Sequence, residues 1–324
     1  MIPAFWQPEH LHVMLNHLPV TLSIIVGPIL IAGLIARSHA VLAVAFSLGL
    51  LAGAVTPFVM QTGERAYDRF NAGQIQPPLD DRGDIAMEMH EEMAEKAAHF
   101  LYVTGFGYLA GLVFLRLRPD WVRGCTYVVL LISLAAAALT LRSALLGGQI
   151  RHPEFRPAID ESPEHIHVML NHLPVTLSII VGPILIAGLI AKRHSVLAVA
   201  FSLGLLAGAV TPFVMQTGER AYDRFNAGQI QPPLDDRGDI AMEMHEEAAE
   251  KAAPFIYITG LGCIAGLIFL RWRPDWVRGC AYLVMIISLA AAALTIRAAV
   301  LGGQIRHPEF RPLVDETPEH IRNE

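Results

Sequence analysis

Apolar residues run through this chain in long stretches, and the polar ones gather at their ends. Eight such stretches fall at about 16–36, 41–62, 98–117, 122–147, 171–191, 196–217, 253–272 and 277–302. A helix needs roughly 20 apolar residues to cross a bilayer, so the pattern predicts eight transmembrane helices in an all-α polytopic membrane protein. Composition agrees. Hydrophobic residues make up 53% and charged residues 17%, against about 25% charged in an ordinary soluble domain, and the mean hydropathy is +0.44.

The eight stretches are two sets of four. Residue i matches residue i+155 almost throughout, and 41–92 is identical to 196–247. The tripeptide PEH occurs at Pro8-Glu9-His10, Pro163-Glu164-His165 and Pro318-Glu319-His320, which points to a tandem fusion joined at this tripeptide. The expected units are a first four-helix membrane repeat at 1–157, a second at 158–312, and a C-terminal tail at 313–324. An even number of spans gives both repeats one orientation, related by an axis along the membrane normal. The few differences show what one copy can lose: Pro254 stands where the first repeat has His99.

Charge placement sets the orientation. The short loops after the first and third spans of each repeat hold Arg37 and His39, or Lys192 and Arg193, then Arg116, Arg118 and Arg123, or Arg271, Arg273 and Arg278. The opposite side carries an acidic segment from Glu64 to Glu95. The positive-inside rule therefore puts both termini outside the cytoplasm, in the periplasm if the membrane is a bacterial inner membrane. The N-terminus shows no basic region followed by a small-residue cleavage site, so a cleavable signal peptide is not expected. The net charge of −6 gives no nucleic-acid reading. Cys125, Cys263 and Cys280 form no CxxC or CxxCH, which supports neither covalent haem attachment nor a cysteine zinc site.

On this topology the unusual polar residues share the outer face. They are His10, His12, Asn16 and His17, then Glu64 and Arg65, then Glu88, His90, Glu91 and Glu92, then Arg142 and His152. Asn16 can cap a helix with Pro19 in its first turn, so the first span is expected to begin at His17, with 8–15 as a short separate or kinked helix. His12 and His17 lie about 140° apart around a continuous helix. His90, flanked at helical spacing by Ala86, Ala94 and Ala97, is the expected partner of His17. Arg142 is costly within a membrane and should find a partner in the bundle, such as Glu64 or an anionic cofactor group. Several features have plainer roles: the GxxxG pairs Gly49/Gly53 and Gly107/Gly111 as packing sites, Glu92–Lys96 as a solvated i,i+4 pair, and Met87, Met89 and Met93 as filler.

The set NHLP, TGERA and MHEEMAEKA, spaced over four spans, resembles small bacterial four-helix integral-membrane proteins with NHxP, TGE and HEExA motifs. The resemblance covers each repeat and implies b-type haem binding. It carries over to His12, Asn16, His17, Glu64 and His90, and to His167, Asn171, His172, Glu219 and His245.

The leading expectation is thus a membrane-bound haem b electron-transfer protein, since imidazoles from two helices of a bundle can ligate haem iron from both sides. The expected axial ligands are His17 with His90 and His172 with His245, with His12 and His167 as further cofactor-binding candidates. Arg65, Arg142, Arg220 and Arg297 would hold propionates. Such a protein would carry electrons between quinol and a periplasmic or membrane redox partner, alone or within a larger membrane complex. Two other classes remain open. One is a non-haem iron, copper or zinc site, for which His10, His12, His17, His90, Glu64 and Glu91 supply nitrogen and oxygen ligands, with His165 and Glu219 as the secondary candidates of the second repeat beside His10 and Glu64. The other is a cofactor-free subunit that binds quinone or a partner protein. No nucleophile–base set or phosphate-binding loop suggests a self-contained hydrolytic or ATP-driven enzyme.

Overall fold

The computed structural model describes residues 6–156 and 162–311. The expected tail at 313–324, the third PEH copy and the boundary at 157–158 lie outside the described residues. Eight α-helices follow one another: α1 (Pro8–Ile35), α2 (His39–Asn71), α3 (Asp81–Leu117), α4 (Val122–Arg151), α5 (Pro163–Ala191), α6 (His194–Asn226), α7 (Asp236–Trp272) and α8 (Val277–Arg306). All eight are long and apolar enough to cross a membrane, and no strand occurs among the described residues.

At the end where α1 and α3 begin, the helices run past the apolar stretches. Helix α1 starts at Pro8, not at His17, and carries Pro19 and Pro28 inside it. Proline in a first turn loses only an N–H that would be unpaired anyway, so Pro8 supplies the start that Asn16 was expected to give. Asn16 is therefore a mid-helix residue. Helix α3 starts at Asp81, where the Asp80 carboxylate accepts from the Gly83 amide at 2.8 Å. That cap satisfies an otherwise orphaned donor and makes the polar MEMHEE segment helical, so His90 sits on a rigid element.

Helix α1 packs on α2 and α4, and α3 packs on α2 and α4, so α1 and α3 stand on a diagonal; α5–α8 repeat the arrangement. The halves meet through α1 on α5 and α2 on α6. Lipid gives no hydrophobic drive for helix association, so packing rests on close approach and polar links. A Cβ on Gly53 would lie 3.0 Å from the Gly105 Cα, and one on Gly111 would lie 2.6 Å from the Phe46 ring. Tyr108 meets the Ser133 hydroxyl at 2.6 Å, and Ser23 meets Thr140 at 2.8 Å.

Candidate functional site

Because α1 is unbroken, its histidines keep their angular separation and face different neighbours. His12 points across the diagonal of the first repeat toward α3. Its ring centre is 6.0 Å from that of His90, and the planes cross at 83°. Each ring is tethered through Nδ1 to a backbone carbonyl: His12 to Val59 at 3.0 Å and His90 to Ser143 at 2.8 Å. With the carbonyl as acceptor, Nδ1 carries the proton and Nε2 is left as a lone-pair donor. The second repeat copies this arrangement. His167 and His245 lie 6.1 Å apart at 81°, tethered to Val214 at 3.0 Å and Ala298 at 2.7 Å.

Small residues give these rings their places. A Cβ on Gly63 would come within 2.8 Å of His12 Cε1, and one on Gly147 within 3.0 Å of His90 Cε1. Gly218 and Gly302 stand in the same relation to His167 and His245. Ala86 and Ala97 are buried beside His90. One turn deeper than His12 on the same side of α1, the Asn16 Oδ1 is buried without a hydrogen-bond partner among the described residues, and so is that of Asn171. A buried carbonyl oxygen left unpaired costs about 1–3 kcal/mol.

His17 does not face His90. It stacks on His172 of the other repeat, centre to centre at 3.9 Å and 27°. The expected pairings of His17 with His90 and His172 with His245 are replaced by His12 with His90, His167 with His245, and His17 with His172. The reason is rotation along one helix. Thr21, one turn further along α1, meets Thr176 of α5 at 3.4 Å, so His17 and Thr21 mark the side of α1 that faces the other repeat.

At the end of the helices that carries α1's start the two repeats exchange ionic contacts in reciprocal fashion. Arg151 lies 3.4 Å from Glu309, and Arg306 lies 3.3 Å from Glu154. Each carboxylate also holds the histidine of its own RHPEF segment, His152 on Glu154 at 3.1 Å and His307 on Glu309 at 3.2 Å. Burial pushes the His152 imidazole below its ordinary value, against the pull of Glu154. Burial also disfavours a charged Glu154, but His152 and Arg306 outweigh it and hold the carboxyl below its usual range. Phe155 stacks between His152 and His165, both at 4.7 Å, and Phe310 between His307 at 4.5 Å and His10 at 4.6 Å. His10 and His165 are thus aromatic partners of the opposite repeat.

The remaining expected site residues do not converge on the histidines. Arg65, Arg142, Arg220, Arg297, Glu64 and Glu219 are exposed. Arg142 acts on the Glu92 carboxylate at the surface, and Arg297 on that of Glu247. The inward guanidiniums are Arg151 and Arg306, with Arg69 on Glu9 at 3.2 Å and Arg224 on Glu164 at 3.0 Å. Sequence reasoning passed these over. The available signal was RHPEF, present at 151–155 and again at 306–310.

Among the described residues, no group of three or more His, Cys, Asp or Glu side chains is placed to hold a bare metal ion. In comparisons with known proteins, the chain matches no family model, no curated protein and no solved structure.

Proposed function

We propose that each repeat holds one b-type haem, between His12 and His90 in the first and between His167 and His245 in the second. The protein would carry electrons near the outer face of a bacterial inner membrane. The observation that carries this reading is the pair of tethered imidazoles 6.0 Å apart across the bundle. Two imidazoles at that separation would hold a haem iron between them, since a metal–imidazole bond is about 2 Å long.

The donor set favours haem over a bare ion. A porphyrin brings its own four equatorial nitrogens and asks the protein for two axial ligands, whereas a bare iron, copper or zinc ion asks for three or four. When bound, the haem supplies one-electron exchange at its iron. The chain's residues do the rest. Val59 and Ser143 carbonyls hold the His12 and His90 protons on Nδ1, which fixes the tautomer and makes Nε2 more basic. Gly63 and Gly147, by lacking a Cβ, leave the tethered rings the space they occupy. The surrounding apolar spans keep water out, which tunes the potential.

On this reading the molecule is two tandem four-helix bundles with both termini periplasmic, as the basic inner loops direct. Its partners are a quinol on the membrane side and a periplasmic or membrane redox protein, within a larger complex or alone. An absorption spectrum of the purified protein tests it. Haem bands of b type that respond to dithionite, at one haem per repeat, are expected; a colourless protein that takes up no added haem would end the proposal.

A further inference from the structure

We infer that His17 and His172 form the joint through which the two repeats exchange electrons, making the tandem one conduit and not two separate carriers. The inference rests on the haem reading above.

Three observations carry it. The first is position: the stacked pair lies on the α1–α5 contact, between the two tethered pairs. His12 and His17 lie five residues apart on α1, and His167 and His172 five apart on α5. Six imidazoles therefore run across the molecule in the order His90, His12, His17, His172, His167, His245. The second is contact: at 3.9 Å and 27° the central rings touch face to face, the shortest way for electron density to pass between the halves. The third is chemistry. The contact between the central rings is a face-to-face stack, and no hydrogen bond joins them among the described residues, so the imidazoles do not serve as polar glue across the seam. An aliphatic pair would fill the same space, and what it would lack is a contacting π system.

Electron tunnelling falls steeply with the widest gap along its route. Rings in van der Waals contact at the boundary between repeats shorten that gap. In the transfer, one electron leaves the reduced site of one repeat and arrives at the oxidised site of the other. The imidazoles end unchanged, no bond forms or breaks, and no further oxidant or reductant takes part.

Because the two sites are equivalent, exchange is visible only after one is altered. In the full chain, His90→Met replaces one axial imidazole by a thioether and raises the potential of the first site. After rapid partial reduction, the electron shared between sites relaxes toward the first repeat, and the unimolecular rate is read from absorbance. Adding His17→Leu with His172→Leu should slow that relaxation by an order of magnitude or more while haem content and both potentials stay as before. His17→Phe with His172→Phe, which restores stacked rings, should keep most of the rate. An unchanged rate in the leucine variant, or a phenylalanine variant as slow as the leucine one, overturns the joint but leaves the haem sites standing. Absence of haem from the parent protein overturns both and is seen in the static spectrum before any kinetics.

Discussion

His12 and His17 sit five residues apart on one helix and have opposite surroundings. The His12 ring is tethered by Val59, has a glycine at its face, and stands 6.0 Å from a second tethered ring at a near-right angle. The His17 ring has no tether among the described residues and lies flat on its counterpart at 3.9 Å. Tethering fixes a tautomer and aims a nitrogen, as a ligand requires. Direct stacking leaves no room for an atom between the rings, as an interface requires. Local geometry, not the identity of the residue, separates the proposed cofactor site from a seam.

The contrast can be broken most severely at the tethered pairs. His90→Ala with His245→Ala is expected to abolish haem binding altogether, and either substitution alone to remove only the haem of its own repeat. Haem per polypeptide checks this. The helices should persist by circular dichroism, because their packing does not depend on one imidazole.

A second test strikes the seam. Arg306→Met leaves the Glu154 carboxylate, which is only 7% exposed, without its partner from the other repeat. Breaking a buried ion pair from one side costs about 3–5 kcal/mol, so the melting temperature in detergent should fall clearly while the haem spectrum stays the same. Loss of haem without loss of stability would mean that Arg306 serves the cofactor and not the seam.

A smaller effect is expected at Gly63→Ala. The new Cβ would press on His12 Cε1 from 2.8 Å and turn the ring from its tether. Disturbing a ligand's support typically costs about 10–100-fold in metal affinity. Haem transfer to apomyoglobin should therefore speed up from the first repeat only.

The mildest test uses acid. His152 is held below its ordinary value of 6.5 by burial, so an unfolded chain binds a proton there before the folded one does. Stability then declines as pH falls below about 6.5. Glu154 is held below its ordinary value of 4.5 although burial opposes this, and its contribution, complete above that value, is lost as pH falls through its folded value. Mild acid should thus lower the melting temperature of the protein, and His152→Gln should blunt the first part of the decline.

Much of the fold was legible in the sequence because apolar length alone dictates a membrane-crossing helix. The eight stretches and their order needed no knowledge of contacts. Helix starts were harder. Asn16 next to Pro19 imitates a cap, but Pro8 does the same work two turns earlier, and a membrane helix tolerates Pro19 inside it when its neighbours compensate. The site was legible as a set and not as pairs. His12, His17 and His90 stood out, and the roughly 140° between the first two showed that they part. Which of them meets His90 depends on how α1 is rotated against α3 and α5, and packing decides that. Arg142 misled because an arginine near a span end can face the headgroup boundary as well as the interior. Arg151 was missed because its partner, Glu309, belongs to the other repeat.

The most direct measurement is haem per chain for His12→Ala set beside His17→Ala, each purified and saturated with haem. Ligation by His12 predicts one haem lost in the first variant and none in the second. Loss of haem from His17→Ala, with both haems kept in His12→Ala, would contradict it.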